Sequence, residues 1–235
     1  MVSAPAGVAG YRPHDLLWPE MASSLIFSGP PPPWATPAWL AVAPVVVRRA
    51  TLADPAQVPV GLRGAMRSER CAARLSACQV VRLVEPEAIA RSAAHSARVR
   101  ESPLACLQAL ARLGPALDAL PLAWGVTGSV GFLLASGFDV LRPGSDLDLI
   151  VRAPLATDAD ALRAAAKLLR DLDARVDAQV DAQVETPFGA FTLQEWVRTG
   201  GPVLLKTSRG PVLTDDAWAS PDAASFDAAC RSMPA

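Results

Sequence analysis

The chain has 235 residues, of which 51% are hydrophobic and 19% charged, and its formal net charge is −1. That length supports a sizeable buried core, and the composition excludes intrinsic disorder. The near-neutral balance excludes the global basic excess typical of nucleic-acid binders.

Residues 1–10, MVSAPAGVAG, carry no Lys or Arg, so the charged start of a secretory signal is missing. Residues 34–47 form the longest apolar stretch, which is shorter than the ~20 residues of a membrane span and is interrupted by Pro37 and Pro44. The expectation is a cytoplasmic protein with neither membrane nor nucleic acid as partner. The four cysteines (71, 78, 106 and 230) form no CxxC pair, and His14 and His95 are far apart, so the usual zinc spacings are absent.

Residues 12–18, RPHDLLW, place His14 as a candidate ligand contact, with a structural hydrogen bond as the alternative. Four prolines at 30–33 suit an exposed extended loop. Residues 44–48 read as a strand, Gly61 and Gly64 bracket a turn, and 68–77 is predicted as a helix with Cys71, Leu75 and Cys78 on one side. Arg63, Arg67 and Arg70 are spaced four and three apart, which would put them on one helical face, where clustered guanidinium groups suit phosphate oxygens. A second strand is expected at 79–84.

Residues 87–120 carry alanine and leucine at helical spacing, with Pro103 in the first turn of one helix and Pro115 as a break before another. Residues 122–126 are a short apolar run that ends at the turn Thr127-Gly128-Ser129. A helix follows at 130–135 and stops at Gly137. A loop with Pro143 and Gly144 leads into the strand DLDLIV at 146–151. Residues 158–172 are an amphipathic helix. Residues 176–185 alternate strictly, with Val176, Ala178, Val180, Ala182 and Val184 on one face and Asp177, Gln179, Asp181, Gln183 and Glu185 on the other. Lys206, in VLLKT, which reads as a strand, is a further candidate phosphate contact. Trp124, Trp196 and Trp218 read as core or pocket wall.

Asp146 and Asp148 stand at i and i+2 of a strand, so both carboxylates project from one face. Their mutual repulsion is relieved by a cation, and hard oxygen donors suit Mg²⁺. A third acid from a neighbouring strand would complete the site, and the doubled VDAQ leaves Asp177 and Asp181 as candidates. Gly128 and Ser129, between a strand and a helix, offer backbone N–H groups and a hydroxyl to a polyphosphate.

The order Gly-Ser, D-x-D, later acid resembles the DNA polymerase beta-like nucleotidyltransferase superfamily, with a somewhat longer gap between Ser129 and Asp146. The stretches RPHDLLW (12–18), VPVGLRGAMRSER (58–70), WGVTGSVGFLLASG (124–137), VLRPGSDLDLIVRAP (140–154), DAQVETPFGAFTLQEW (181–196) and VLLKT with the later DDAW (203–218) are similar to the phosphoribosyl-dephospho-CoA transferase family, also called malonate decarboxylase holo-acyl-carrier-protein synthase. The resemblance implies transfer of the phosphoribosyl-dephospho-CoA group from 2′-(5″-triphosphoribosyl)-3′-dephospho-CoA to a serine of the apo acyl-carrier subunit, with release of diphosphate. It selects Asp181 as the third acid, because only Asp181 has the Q-V-E-T-P context. It casts Asp146, Asp148 and Asp181 as Mg²⁺ ligands, Asp181 as proton acceptor, and Gly128, Ser129, Arg63, Arg67, Arg70 and Lys206 as substrate contacts. Two alternatives remain: a nucleotidyltransferase using an ordinary NTP, and an inactive binding module of the same fold.

The expected architecture is α+β. A nucleotidyltransferase-like mixed sheet flanked by helices occupies 90–235, and an α/β module at 1–89 covers the substrate, with the site between them.

Overall fold

In a computed structural model, which describes residues 10–173 and 178–220, the chain builds two six-stranded sheets. The first is wholly antiparallel. It comprises β1 (Leu16–Pro19), β2 (Leu25–Ile26), β3 (Val45–Val47), β4 (Gln57–Arg63), β5 (Arg70–Ser76) and β6 (Val80–Val84), in the order β2-β5-β4-β3-β1-β6. The short helix α1 (Pro37–Leu40) lies between β2 and β3 in the chain; Pro37 starts it and the Thr36 hydroxyl accepts the Trp39 N–H.

Three helices lead to the second sheet: α2 (Pro86–Ala93), α3 (Ala97–Arg100) and α4 (Ala105–Asp118). The second sheet contains β7 (Ala123–Val126), β8 (Leu147–Arg152), β9 (Val180–Glu185), β10 (Ala190–Thr192), β11 (Val203–Thr207) and β12 (Gly210–Thr214), in the order β12-β11-β10-β9-β8-β7. Only β8 and β9 run parallel, so the sheet is mixed. Helix α5 (Gly128–Ser136) links β7 to the loop before β8, α6 (Ala159–Asp173) makes the parallel crossover, and α7 (Leu193–Thr199) follows β10. The architecture is α+β. Among the described residues no helix is long and apolar enough to cross a membrane.

The second sheet has one apolar and one polar face. Leu147, Leu149 and Val151 alternate with Asp148, Ile150 and Arg152, and on β9 Val180, Ala182 and Val184 alternate with Asp181, Gln183 and Glu185. The apolar set joins Leu107, Leu110 and Leu113 of α4 and Leu162, Ala166 and Leu169 of α6 in one core. Leu16 of the first sheet belongs to that core too. On α6 the buried positions 162, 165, 166 and 169 follow the helical period read from the sequence. The first sheet buries Val58, Val60 and Leu62 with Ala73 and Leu75 in a second core.

Two local expectations are corrected. Residues 68–77 are no helix: β5 pairs with β4 from Arg63↔Arg70 to Gln57↔Ser76. Alanine, arginine and leucine favour a helix locally, but the β4 ladder and the i, i+2 burial of Ala73 and Leu75 decide the outcome. Pro115 does not break a helix either; it sits inside α4, in the last turn, where one backbone bond is lost. The tryptophans are structural. Trp124 donates to Asp118 at 2.9 Å, Trp218 donates to the Ala153 carbonyl at 2.9 Å, and Trp196 packs edge-on to Trp218.

Candidate active site

Asp148 and Asp181 are register partners on the parallel strands β8 and β9, so their side chains leave the sheet on the same face and side by side. Asp146 immediately precedes β8, after a turn in which the Ser145 hydroxyl accepts the Arg142 N–H at 2.9 Å. Burial pushes the Asp148 carboxyl up, and the Asp181 and Asp146 charges push it further, against Arg70 and His14. Asp181 is exposed and accepts a hydrogen bond from the Gln179 amide at 3.0 Å. Asp177 lies outside the described residues.

The strand-to-helix turn is knitted to the acids. Thr127 N–H donates to the Asp148 carbonyl at 2.9 Å, and Gly128 begins α5 with φ +60°. A Cβ on Gly128 would stand 1.8 Å from Asp148 Oδ2. Only glycine lets the carboxylate lie against this turn.

The arginines come from a hairpin rather than a helix. Arg63 and Arg70 are cross-strand partners, and Arg67 is in the turn between them. Arg63 is buried. Its Nη1 donates to Ser129 Oγ at 3.2 Å, its guanidinium lies 5.1 Å from the Phe132 ring centre, and its carbonyl accepts the Trp39 indole N–H at 2.9 Å. Burial and the Arg70 charge lower the Arg63 pKa, and Asp148 opposes them. Arg67 reaches Asp146 only at 3.9 Å from a side chain that is 86% exposed, so that pair contributes little. The expected three-arginine face is therefore one buried and one facing guanidinium, plus a solvated third.

A cavity of about 750 Å³ lies between the two sheets, and its wall includes His14, Arg63, Arg70, Gly128, Asp148 and Lys206. Ser129, Arg67, Asp146 and Asp181 do not line it. Lys206 Nζ donates to Gln183 Oε1 at 3.4 Å, and the Gln183 amide contacts His14 Nε2 at 3.0 Å and Glu185 Oε1 at 2.9 Å.

Below the cavity is a group of charges that sequence reasoning missed. Glu185, 6% exposed, pairs with Arg49 and lies 3.4 Å from His14 and 3.9 Å from Arg152. Arg152 also donates to Glu87 at 3.0 Å and approaches the buried Asp15 at 3.8 Å. Burial raises the Glu185 pKa, but the His14 hydrogen bond and the Arg49 charge outweigh it and bring it to about 2. The available signal was the polar parity of β9, which continues past Asp181 to Gln183 and Glu185 on a strand whose other face is core. His14, with φ 76°, has the one left-handed non-glycine backbone among the described residues. Its turn is pinned by Arg12 N–H donating to Asp15 Oδ2 at 2.8 Å and by His14 N–H donating to the Val47 carbonyl at 3.0 Å.

Two family models cover most of the chain. The phosphoribosyl-dephospho-CoA transferase MdcG N-terminal domain matches residues 12–86, and the C-terminal domain of the same transferase matches residues 89–217. The chain belongs to the phosphoribosyl-dephospho-CoA transferase family. Among its relatives, a phosphoribosyl-dephospho-CoA transferase of Klebsiella pneumoniae is 44% identical over 209 residues, covering 88% of this chain and 96% of the relative. One of Pseudomonas putida (strain GB-1) is 41% identical over 213 residues, covering 91% and 98%. One of Pseudomonas syringae pv. tomato is 44% identical over 206 residues, covering 88% and 92%. No solved structure matches the chain.

Proposed function

We propose that this transferase attaches the phosphoribosyl-dephospho-CoA group of 2′-(5″-triphosphoribosyl)-3′-dephospho-CoA to a serine of the apo acyl-carrier subunit of malonate decarboxylase. The observation that carries the reading is the register pair Asp148 and Asp181, with Gly128 held against Asp148. Cys71, Cys78 and Cys106 are free thiols, which suits the reducing cytoplasm in which we place the reaction.

The donor set fits a hard cation. Among the described residues no three His, Cys, Asp or Glu side chains converge closely enough to hold an ion unaided. Mg²⁺, however, is commonly bound by one or two carboxylates together with substrate phosphates and water. Asp148 and Asp181, with Asp146 just before β8, are the residues that would hold it. When bound, the ion would neutralise charge developing on the phosphate oxygens.

The chain's own residues do the rest. The Gly128 and Ser129 backbone N–H groups at the start of α5 receive the β- and γ-phosphates, and Arg63 and Arg70 face them from the hairpin. Lys206 adds a charge from β11. The carrier serine oxygen attacks the α-phosphorus, forming a phosphodiester as the bond to the β-phosphate oxygen breaks and diphosphate leaves. The serine proton passes to the Asp181 carboxylate, which is exposed to an incoming macromolecule.

The test is to incubate the protein with apo carrier subunit, Mg²⁺ and the triphosphoribosyl precursor, and to read the carrier's mass. We expect a gain equal to the prosthetic group, absent for Asp148→Asn. A carrier modified instead from ordinary ATP would overturn the reading.

A further inference from the structure

A second cavity, of about 530 Å³, adjoins the first, and the two share Pro13, Val47, Arg48 and Arg49 in their walls. It lies beyond the RPH turn, between residues 50–59 of the first sheet's side and residues 186–188 after β9. Nothing in the transfer chemistry uses it.

The two cavities differ in chemistry. The first holds the carboxylate pair's Asp148, with Arg63, Arg70 and Lys206. The second holds no comparable set, because its basic residues are already matched. Arg12 pairs with Glu85 and Glu87, Arg49 pairs with Glu185, and Arg152 pairs with Glu87. It is therefore no second polyphosphate site. Leu52, Pro59 and Phe188 give it apolar wall, and Thr51 and Gln57 give it polar points. That mixture suits a long, uncharged chain carrying amides.

Arg48, at the junction, is the exception. It is exposed, and no carboxylate pairs with it among the described residues. An unmatched guanidinium between two cavities is placed for an anion that spans them.

We propose that the second cavity receives the pantetheine arm of the dephospho-CoA half of the substrate, with the nucleotide's diphosphate on Arg48 and the reacting triphosphate in the first cavity. This rests on the function proposed above and adds to it a second subsite. It gives the substrate a direction: reacting end over Asp148, inert end beyond Arg48. The Arg49–Glu185 pair and the RPH turn form the saddle between them.

The test uses two partial ligands that cannot react, dephospho-CoA and ADP, the second lacking the arm. Affinities for the full-length chain are measured by calorimetry. Leu52→Trp narrows the second cavity and should weaken dephospho-CoA about tenfold or more while leaving ADP unchanged. Arg48→Ala should weaken both. Tripolyphosphate with Mg²⁺ reports on the first cavity and should bind Leu52→Trp as it binds the unaltered protein. Should Leu52→Trp also lose tripolyphosphate, the exposed Thr51→Trp replaces it as the deciding variant. A measurement without any substitution runs beside these: hydrogen exchange at residues 50–55 should slow with dephospho-CoA and not with ADP. Equal losses for the two ligands, no loss for either, or protection by ADP alone would overturn the second subsite while leaving the transfer reaction intact. Failure of the unaltered protein to bind dephospho-CoA at all would overturn both.

Discussion

At Gly128 two constraints act on one atom. The φ of +60° is a conformation that costs an L-residue about 1–2 kcal/mol, and a methyl group there would occupy the space of the Asp148 carboxylate. Gly128→Ala should therefore cost modest stability and far more activity. We expect thermal unfolding to shift by several degrees, and transfer to fall roughly 100-fold, since displacing a reacting group by about 1 Å has that scale of effect. A variant with full kcat and an unchanged Asp148 environment would remove the cradle from the mechanism. Glu185 sets a pH dependence of definite sign. Its folded pKa, about 2, lies below the ordinary 4.5, so its contribution is complete above about pH 4.5 and disappears as pH falls towards 2. The difference corresponds to roughly 3 kcal/mol. Glu87, also lowered, acts in the same direction, and the raised Asp15 in the opposite one. Glu185→Gln should flatten the acid limb of a denaturation-against-pH curve and lower stability at pH 7 by about that amount. An acid limb identical to that of the unaltered protein would show that Glu185 is not its cause.

Among the elements, β8 was readable because it opens on alternating acids and leucines before turning fully apolar, and β9 because it alternates at period two; the partition of Val180, Ala182 and Val184 from Asp181, Gln183 and Glu185 follows directly from that parity. Helix α5 was readable because a glycine stops it: Gly137, at φ 81°, donates its N–H to the Leu133 carbonyl. The β4–β5 hairpin was not. Positions 71 and 75 satisfy strand parity as well as helical spacing, and only pairing with β4, a non-local fact, separates the two. The consequence for the site is large. In a helix three arginines would share one surface, whereas the hairpin buries Arg63 against Phe132 and Ser129 and leaves Arg67 in solvent. Arg63→Lys keeps the charge and loses the planar fork. We expect kcat/KM to fall about 10- to 100-fold, the scale of a charged hydrogen bond, and mostly through KM. Arg67→Ala should change either parameter much less, and steady-state kinetics on the two variants side by side would expose a reversed order.

On the scale of the whole molecule, the two halves meet across ion pairs and hydrogen bonds that are remote in sequence. Arg49 and Glu185 are 136 positions apart, and Arg152 donates to the Pro13 carbonyl 139 positions away. Patterns local in the chain carry no trace of such partners, which is why the acids, the Gly-Ser turn and Lys206 could be singled out from sequence whereas Arg49, Asp15 and Arg152 could not. The same distance hides from the sequence that His14 serves both as a structural bond, touching Gln183 and Glu185, and as part of the cavity wall.

The junction also bears on how members of this family can be recombined. Arg49, Arg63 and Asp15 come from one half, and their partners Glu185, Ser129 and Arg152 from the other, so neither half carries a balanced surface alone. A chimera joining the first 86 residues of one relative to the remainder of another would inherit mismatched seams wherever these positions differ. Such hybrids should be rescued by restoring the lost counter-charge rather than by repacking apolar side chains.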